Sequence, residues 1–121
     1  MGYILSKKSV KEISSELSLP IIGTEQDWDI ELADSSRISE FLDYYRNNDF
    51  SVEKRIAVME LLIASYDDFL NVKDSEVDSR WKEIKSILKS EKIIFKELVY
   101  YWASFEDEVD QYQISPLLRD L

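Results

Sequence analysis

The chain has 121 residues, 45% of them apolar and 15 of them aromatic, which is enough to build one hydrophobic core without disulfides or a structural metal. It contains no cysteine and no histidine. Thiolate chemistry, Ser-His and Cys-His nucleophile pairs and the commonest zinc ligands are therefore excluded within the chain. The net charge of −10 is unevenly spread: residues 12–53 carry eleven acids against Arg37 and Arg46, and residues 97–121 carry six against Arg119. A surface of that sign disfavours a phosphate backbone and steers basic partners instead.

The first predicted helix covers 9–18. Val10, Ile13 and Leu17 share a face, Ser9 and Glu12 form a capping box, and Pro20 and Gly23 close it. The stretch Trp28-Asp29-Ile30-Glu31-Leu32 alternates apolar and polar residues, which predicts a half-buried strand with Asp27, Asp29 and Glu31 on one face. A helix follows over 35–47 behind Asp34, with Ile38, Phe41, Leu42 and Tyr45 in one stripe.

The strongest helical signal runs over 52–70 behind Ser51. Ile56, Met59, Ile63, Tyr66 and Leu70 form one side, and Val58, Leu61, Leu62 and Phe69 widen it, so this helix is expected to be central. Ser75 with Asp78 reads as a further capping box ahead of Val77, Trp81, Ile84 and Leu88. A fifth segment over 91–103 carries Ile94, Leu98, Tyr101 and Trp102, with Ser90 as its cap. The piece 112–115 reads as a second short strand that pairs with 28–32, and Ser115-Pro116 starts a final turn through Leu117 and Leu118. The expected architecture is mainly α: a single domain over 1–121, a bundle of about five helices with a small two-stranded β element.

The motifs that carry chemistry are weak. The acidic runs from Asp27 and from Asp74 place carboxylates at alternate positions, but their sixth positions are Leu32 and Ser79 where a calcium loop needs glycine. No metal site and no cofactor site is read from the sequence. Ser-x-x-Lys occurs at Ser51/Lys54, Ser79/Lys82 and Ser86/Lys89 without its companion motifs, and Ser51 has a simpler role as a helix cap. Met1-Gly2-Tyr3-Ile4-Leu5-Ser6 matches a lipidation pattern in form only, with two lysines behind it in an acidic chain. No apolar run is long enough to span a membrane and no secretory stretch opens the chain, so the expected location is the cytoplasm.

The acid-rich stretch Phe105-Glu106-Asp107-Glu108-Val109-Asp110 follows Tyr100-Tyr101-Trp102. Consecutive helical residues point about 100° apart, so Tyr101 and Trp102 fit the core stripe and Tyr100 leans outward. Exposed tyrosine ringed by charge belongs to interface hot spots. The candidate partner-binding residues are Asp27, Asp29, Glu31, Tyr100, Phe105, Glu106, Asp107, Glu108 and Asp110.

Trp28-x-Ile30-x-Leu32, Phe41-x-x-Tyr44-Tyr45, Tyr101-Trp102 and Ile114-Ser115-Pro116-x-x-Arg119 together resemble a pattern in small acidic bacterial proteins, some of them similar to immunity partners of polymorphic toxins. The resemblance implies a stoichiometric binder that neutralises a basic partner, such as a toxin, by occlusion. It carries over no functional residue. Two other readings remain open at this point: a self-associating structural protein, and a hydrolase that works with paired carboxylates.

Overall fold

A computed structural model describes residues 7–20, 28–72, 76–104 and 112–121. These residues are mainly helical, with no strand among them: α1 (Lys7–Glu16), α2 (Trp28–Leu32), a 3-10 turn (Ser35–Arg37), α3 (Ile38–Arg46), α4 (Val52–Asn71), α5 (Ser79–Ser90), α6 (Lys96–Ala103) and α7 (Ser115–Arg119).

The centre is α4. Ser51 caps it by accepting the Lys54 N–H at 3.3 Å, and every residue from Ala57 to Asp67 is buried. A helix buried all round needs neighbours on several sides. The elements α1, α2, the 3-10 turn and α3 all pack on it. The fifth helix joins through Trp81, whose indole stacks on Tyr66 with ring centroids 5.9 Å apart. Helices α6 and α7 pack on each other, with Trp102 against Tyr112 at 4.2 Å.

The strand expected over 28–32 is a helix. Trp28 and Leu32 stand at i, i+4, one above the other on a helical face, and both are buried. The Trp28 Nε1–H donates to Ser14 Oγ at 3.0 Å, which fixes α2 against α1. Its expected strand partner over 112–115 turns directly into α7, and the Ile114 N–H donates to the buried Asp67 carboxylate instead of to a sheet. Five alternating residues fit either period. Apolar contact with α4 on one side decides for the helix, since a lone two-stranded pairing is marginal.

Three helix starts also differ from expectation. The first helix already begins at Lys7, so Ser9 lies inside it and is buried. The cap of α5 is Asp78 itself, which accepts the Arg80 N–H at 3.1 Å and holds the Arg80 guanidinium at 2.8 Å. Ser90 ends α5 rather than opening α6: its hydroxyl donates back to the Ile87 carbonyl at 3.1 Å. Residues 91–95 then turn before α6 starts at Lys96.

Candidate binding surface

Of the nine candidate residues, few fall where their side chains are described. Asp27, Phe105, Glu106, Asp107, Glu108 and Asp110 lie outside the described residues. Asp29 lies in α2, and Glu31 is exposed on the same helix. Tyr100 leans outward from α6 as its register requires, 47% exposed, while Trp102 is buried. Glu31 and Tyr100 are the two candidates whose side chains are described.

Among the described residues, the charged groups lining the hollow at Tyr100 are lysines. Tyr100 lines this open hollow of about 540 Å3 between α5, α6 and the C-terminal end of the described chain. The apolar part of the lining is Leu88, Val99 and Leu121, and the charged part is Lys89, Lys92 and Lys96. A neighbouring hollow of about 530 Å3 is lined by Lys82, Lys85 and Lys89, so Lys89 belongs to both. Ile93, in the turn between the helices, is 88% exposed.

The five lysines follow the spacing 3, 4, 3, 4 along 82–96. Lys82, Lys85 and Lys89 share one face of α5, Lys92 lies in the turn that follows it, and Lys96 opens α6. Residues 80–96 hold six basic residues and two acids, a local net charge of +4 in a chain of −10. Both acids are directed elsewhere. Glu83 holds Arg46 of α3 at 2.6 Å. Glu91 holds Arg55 of α4 at 3.0 Å and accepts the Tyr45 hydroxyl. No described carboxylate comes within ion-pair distance of any of the five lysines. The strip is present in the sequence as a spacing of one residue type, but residues 54–96 together, with nine bases and eight acids, sum to only +1. The acid-rich part before residue 80 cancels most of the charge.

The remaining titratable groups do structural work. Burial, with Glu91 beside it, pushes the Tyr45 hydroxyl well above the usual phenol range, and burial with Glu16 does the same to Tyr44. Burial also raises the Asp67 carboxyl, against the pull of the Ile114 and Gln113 N–H groups. The Arg80 guanidinium holds Asp78 below its ordinary value. None of these groups lines either hollow. Among the described residues no three of His, Cys, Asp and Glu converge as metal ligands. None of the described helices is long and apolar enough to cross a membrane. The chemistry available at Tyr100 is apolar contact, a phenol hydroxyl and cationic attraction.

Comparison with known protein families, with characterised proteins and with solved structures finds no match to this chain.

Proposed function

We propose that this protein is a binding module rather than a catalyst, and that contact with a protein partner centres on Tyr100. The observation that carries the reading is the half-exposed Tyr100 ring in the hollow with Leu88, Val99 and Leu121. The aromatic and aliphatic side chains needed for the core are already buried elsewhere, with Trp102, Tyr66, Phe41 and Phe95 fully enclosed. Tyr100 and Leu121 stay 47% and 37% exposed, and an amphipathic ring on such a surface is the chemistry of an interface anchor. No carboxylate lines either hollow, so the hydrolase reading has no support there.

A second reading takes the acidic half as the contact. Residues 12–53 carry a net charge of −9, and Glu31 stands exposed on α2. That charge favours a basic partner meeting Asp27, Asp29, Glu31 and the acids of 106–110, with neutralisation of a cytoplasmic toxin by occlusion as its specific form. The two readings call for partners of opposite charge, because the lysines beside Tyr100 repel a basic protein.

The test is capture of the partner from the native host, followed by titration of that purified partner against variants. Under the first reading Tyr100→Ala weakens binding by about tenfold or more, the scale of an interface anchor. Under the second, Tyr100→Ala leaves binding intact, and Glu31→Gln with Asp29→Asn weakens it in a salt-dependent way. A solution molar mass above that of one chain that returns to one chain in Tyr100→Ala makes the partner a second copy and supports the self-associating alternative.

A further inference from the structure

The lysine strip gives the Tyr100 surface a polarity, and with it a kind of partner. We propose that Lys82, Lys85, Lys89, Lys92 and Lys96, with the hollow they border, dock an acidic amphipathic segment of a partner protein. Its carboxylates lie along the lysines, and an apolar side chain sits against Val99, Tyr100 and Leu121. The proposal rests on the binding-module reading and adds the sign and shape of the ligand.

Three observations converge on it. First, the strip is cationic against the sign of the whole molecule, and the two acids that share its sequence are held on other faces by Arg46 and Arg55. Lys85 and Lys89, four residues apart on α5, repel each other unless an anion lies between them. Second, the cationic groups are distributed. Lys82 to Lys89 spans about 10 Å along α5 at 1.5 Å per residue. A small anion answers one or two lysines, whereas acids at the 3–4 spacing of a partner helix repeat at the same interval. Third, charge and apolar surface adjoin: Lys89, Lys92 and Lys96 line the same hollow as Leu88, Val99 and Tyr100. That pairing matches an amphipathic helix laid in a groove.

Nucleic acid is the poorer fit. The strip's one described aromatic is Tyr100, while single-strand binders stack successive bases on several rings. Its lysines act without a free guanidinium, since the nearby Arg80 is bound to Asp78. The net charge of −10 further opposes a polyanion much longer than the strip.

The test uses the full chain and a fluorescently labelled amphipathic peptide with Glu at i, i+3, i+7 and i+10 and Leu beside them. Anisotropy is read at an ionic strength near 0.05 M, where the Debye length still exceeds about 10 Å. The Lys89→Glu, Lys92→Glu double variant is expected to weaken binding at least about tenfold, a loss of about 1.4 kcal/mol. The Lys8→Glu, Lys11→Glu double variant, which changes the net charge equally on α1, is expected to stay within about twofold. Tyr100→Ala is expected to weaken the Leu-bearing peptide and leave an all-Glu peptide unchanged. Circular dichroism confirms that each variant is folded.

Equal weakening by the two double variants overturns the proposal, because net charge alone then explains the binding. Tighter binding to oligo(dT) or to anionic phosphatidylglycerol vesicles than to the peptide overturns it in favour of those ligands. A native partner that depends on Tyr100 but not on the lysines removes the acidic-segment claim and leaves the binding module standing. Dependence on neither removes both.

Discussion

Asp67 on α4 accepts the backbone N–H of Ile114 at 3.0 Å, across 47 residues of sequence. The bond joins the end of the central helix to the turn that opens α7, in a place where both groups are buried. Asn71 supports the arrangement by donating its side-chain amide to the Asp67 carbonyl at 2.9 Å. Asp67→Ala leaves a buried N–H without an acceptor and is expected to lower stability by about 1–3 kcal/mol. Asp67→Asn keeps an acceptor oxygen and is expected to cost less. Urea unfolding of the two variants checks the order.

The same carboxyl makes stability depend on pH. Burial raises its folded pKa above the unfolded value. Its contribution is thus fully present below the unfolded pKa of about 3.9 and is lost as pH rises through the folded pKa. The Asn variant has no such dependence. Wild type should therefore gain stability relative to Asp67→Asn as the buffer is taken from neutral towards pH 4. A difference that is flat, or that runs the other way, contradicts the raised pKa.

Trp28 ties α2 to α1 through its 3.0 Å bond to Ser14 Oγ, and the indole is buried. Trp28→Phe removes the donor, strands the Ser14 hydroxyl in a buried site and leaves a gap where the larger ring was. The expected cost is about 1–3 kcal/mol. Ser14→Ala, which removes the acceptor instead, is expected to cost no more. In the double variant the two losses should not add, because a single bond is being broken twice.

Trp28 also marks where the sequence was ambiguous. Apolar residues at 28, 30 and 32 satisfy a period of two, and the i, i+4 pair Trp28 and Leu32 satisfies a helix equally well. Five residues cannot separate the two periods. Longer segments did not have this problem. The eleven buried residues of α4 and its Ser51 cap were legible because several turns repeat one face and one cap residue opens it. Asp34 was legible as a cap for the same reason, and the structure shows it accepting the Ser36 N–H at 2.9 Å. The start of α5 was misplaced because Ser75 and Asp78 are both good cap residues, and the choice between them depends on a tertiary contact. The Asp78 N–H donates to the Tyr66 hydroxyl at 3.0 Å, from a helix twelve residues earlier. Tyr100 was placed correctly by helical phase alone. Of the lysines that line its hollow, Lys96 lies on its own helix, whereas Lys89 comes from α5 and Lys92 from the turn at 91–95, neighbours that helical phase cannot supply.

Glu91 explains why that turn exists. It holds Arg55 of α4 at 3.0 Å and accepts the Tyr45 hydroxyl of α3, so two helices converge on the first residue after α5. Arg55 reaches Asp49 as well, at 3.3 Å. Glu91→Gln with Tyr45→Phe in a double-mutant cycle is expected to show a coupling of about 0.5–3 kcal/mol, since the two side chains share one hydrogen bond. Additive losses argue against that shared bond.

Among the described residues, two serines adopt left-handed backbone, and they should respond oppositely to glycine. Ser18, φ 54°, follows α1 in a Schellman arrangement: the Leu19 N–H reaches the Ser14 carbonyl at 2.8 Å and the Ser18 N–H reaches Ser15 at 3.3 Å. Its side chain is exposed, so glycine removes the penalty of the left-handed region and little else. Ser18→Gly is expected to raise stability by about 0.5–1 kcal/mol, a few degrees in the thermal midpoint. Ser104, φ 59°, ends α6 in the same conformation, but it is buried and its hydroxyl meets the Ser115 hydroxyl at 3.1 Å. Ser115 in turn donates to the Trp102 carbonyl at 2.6 Å, so the pair fastens α7 to the end of α6. Glycine at 104 relieves the same backbone penalty but breaks that fastening, which offsets the gain by about 0.5–1.5 kcal/mol and opens a small void. Thermal melts should therefore rank Ser18→Gly above wild type and Ser104→Gly at or below it. A Ser104→Gly midpoint as high as that of Ser18→Gly means the hydroxyl pair contributes nothing to holding α7 in place.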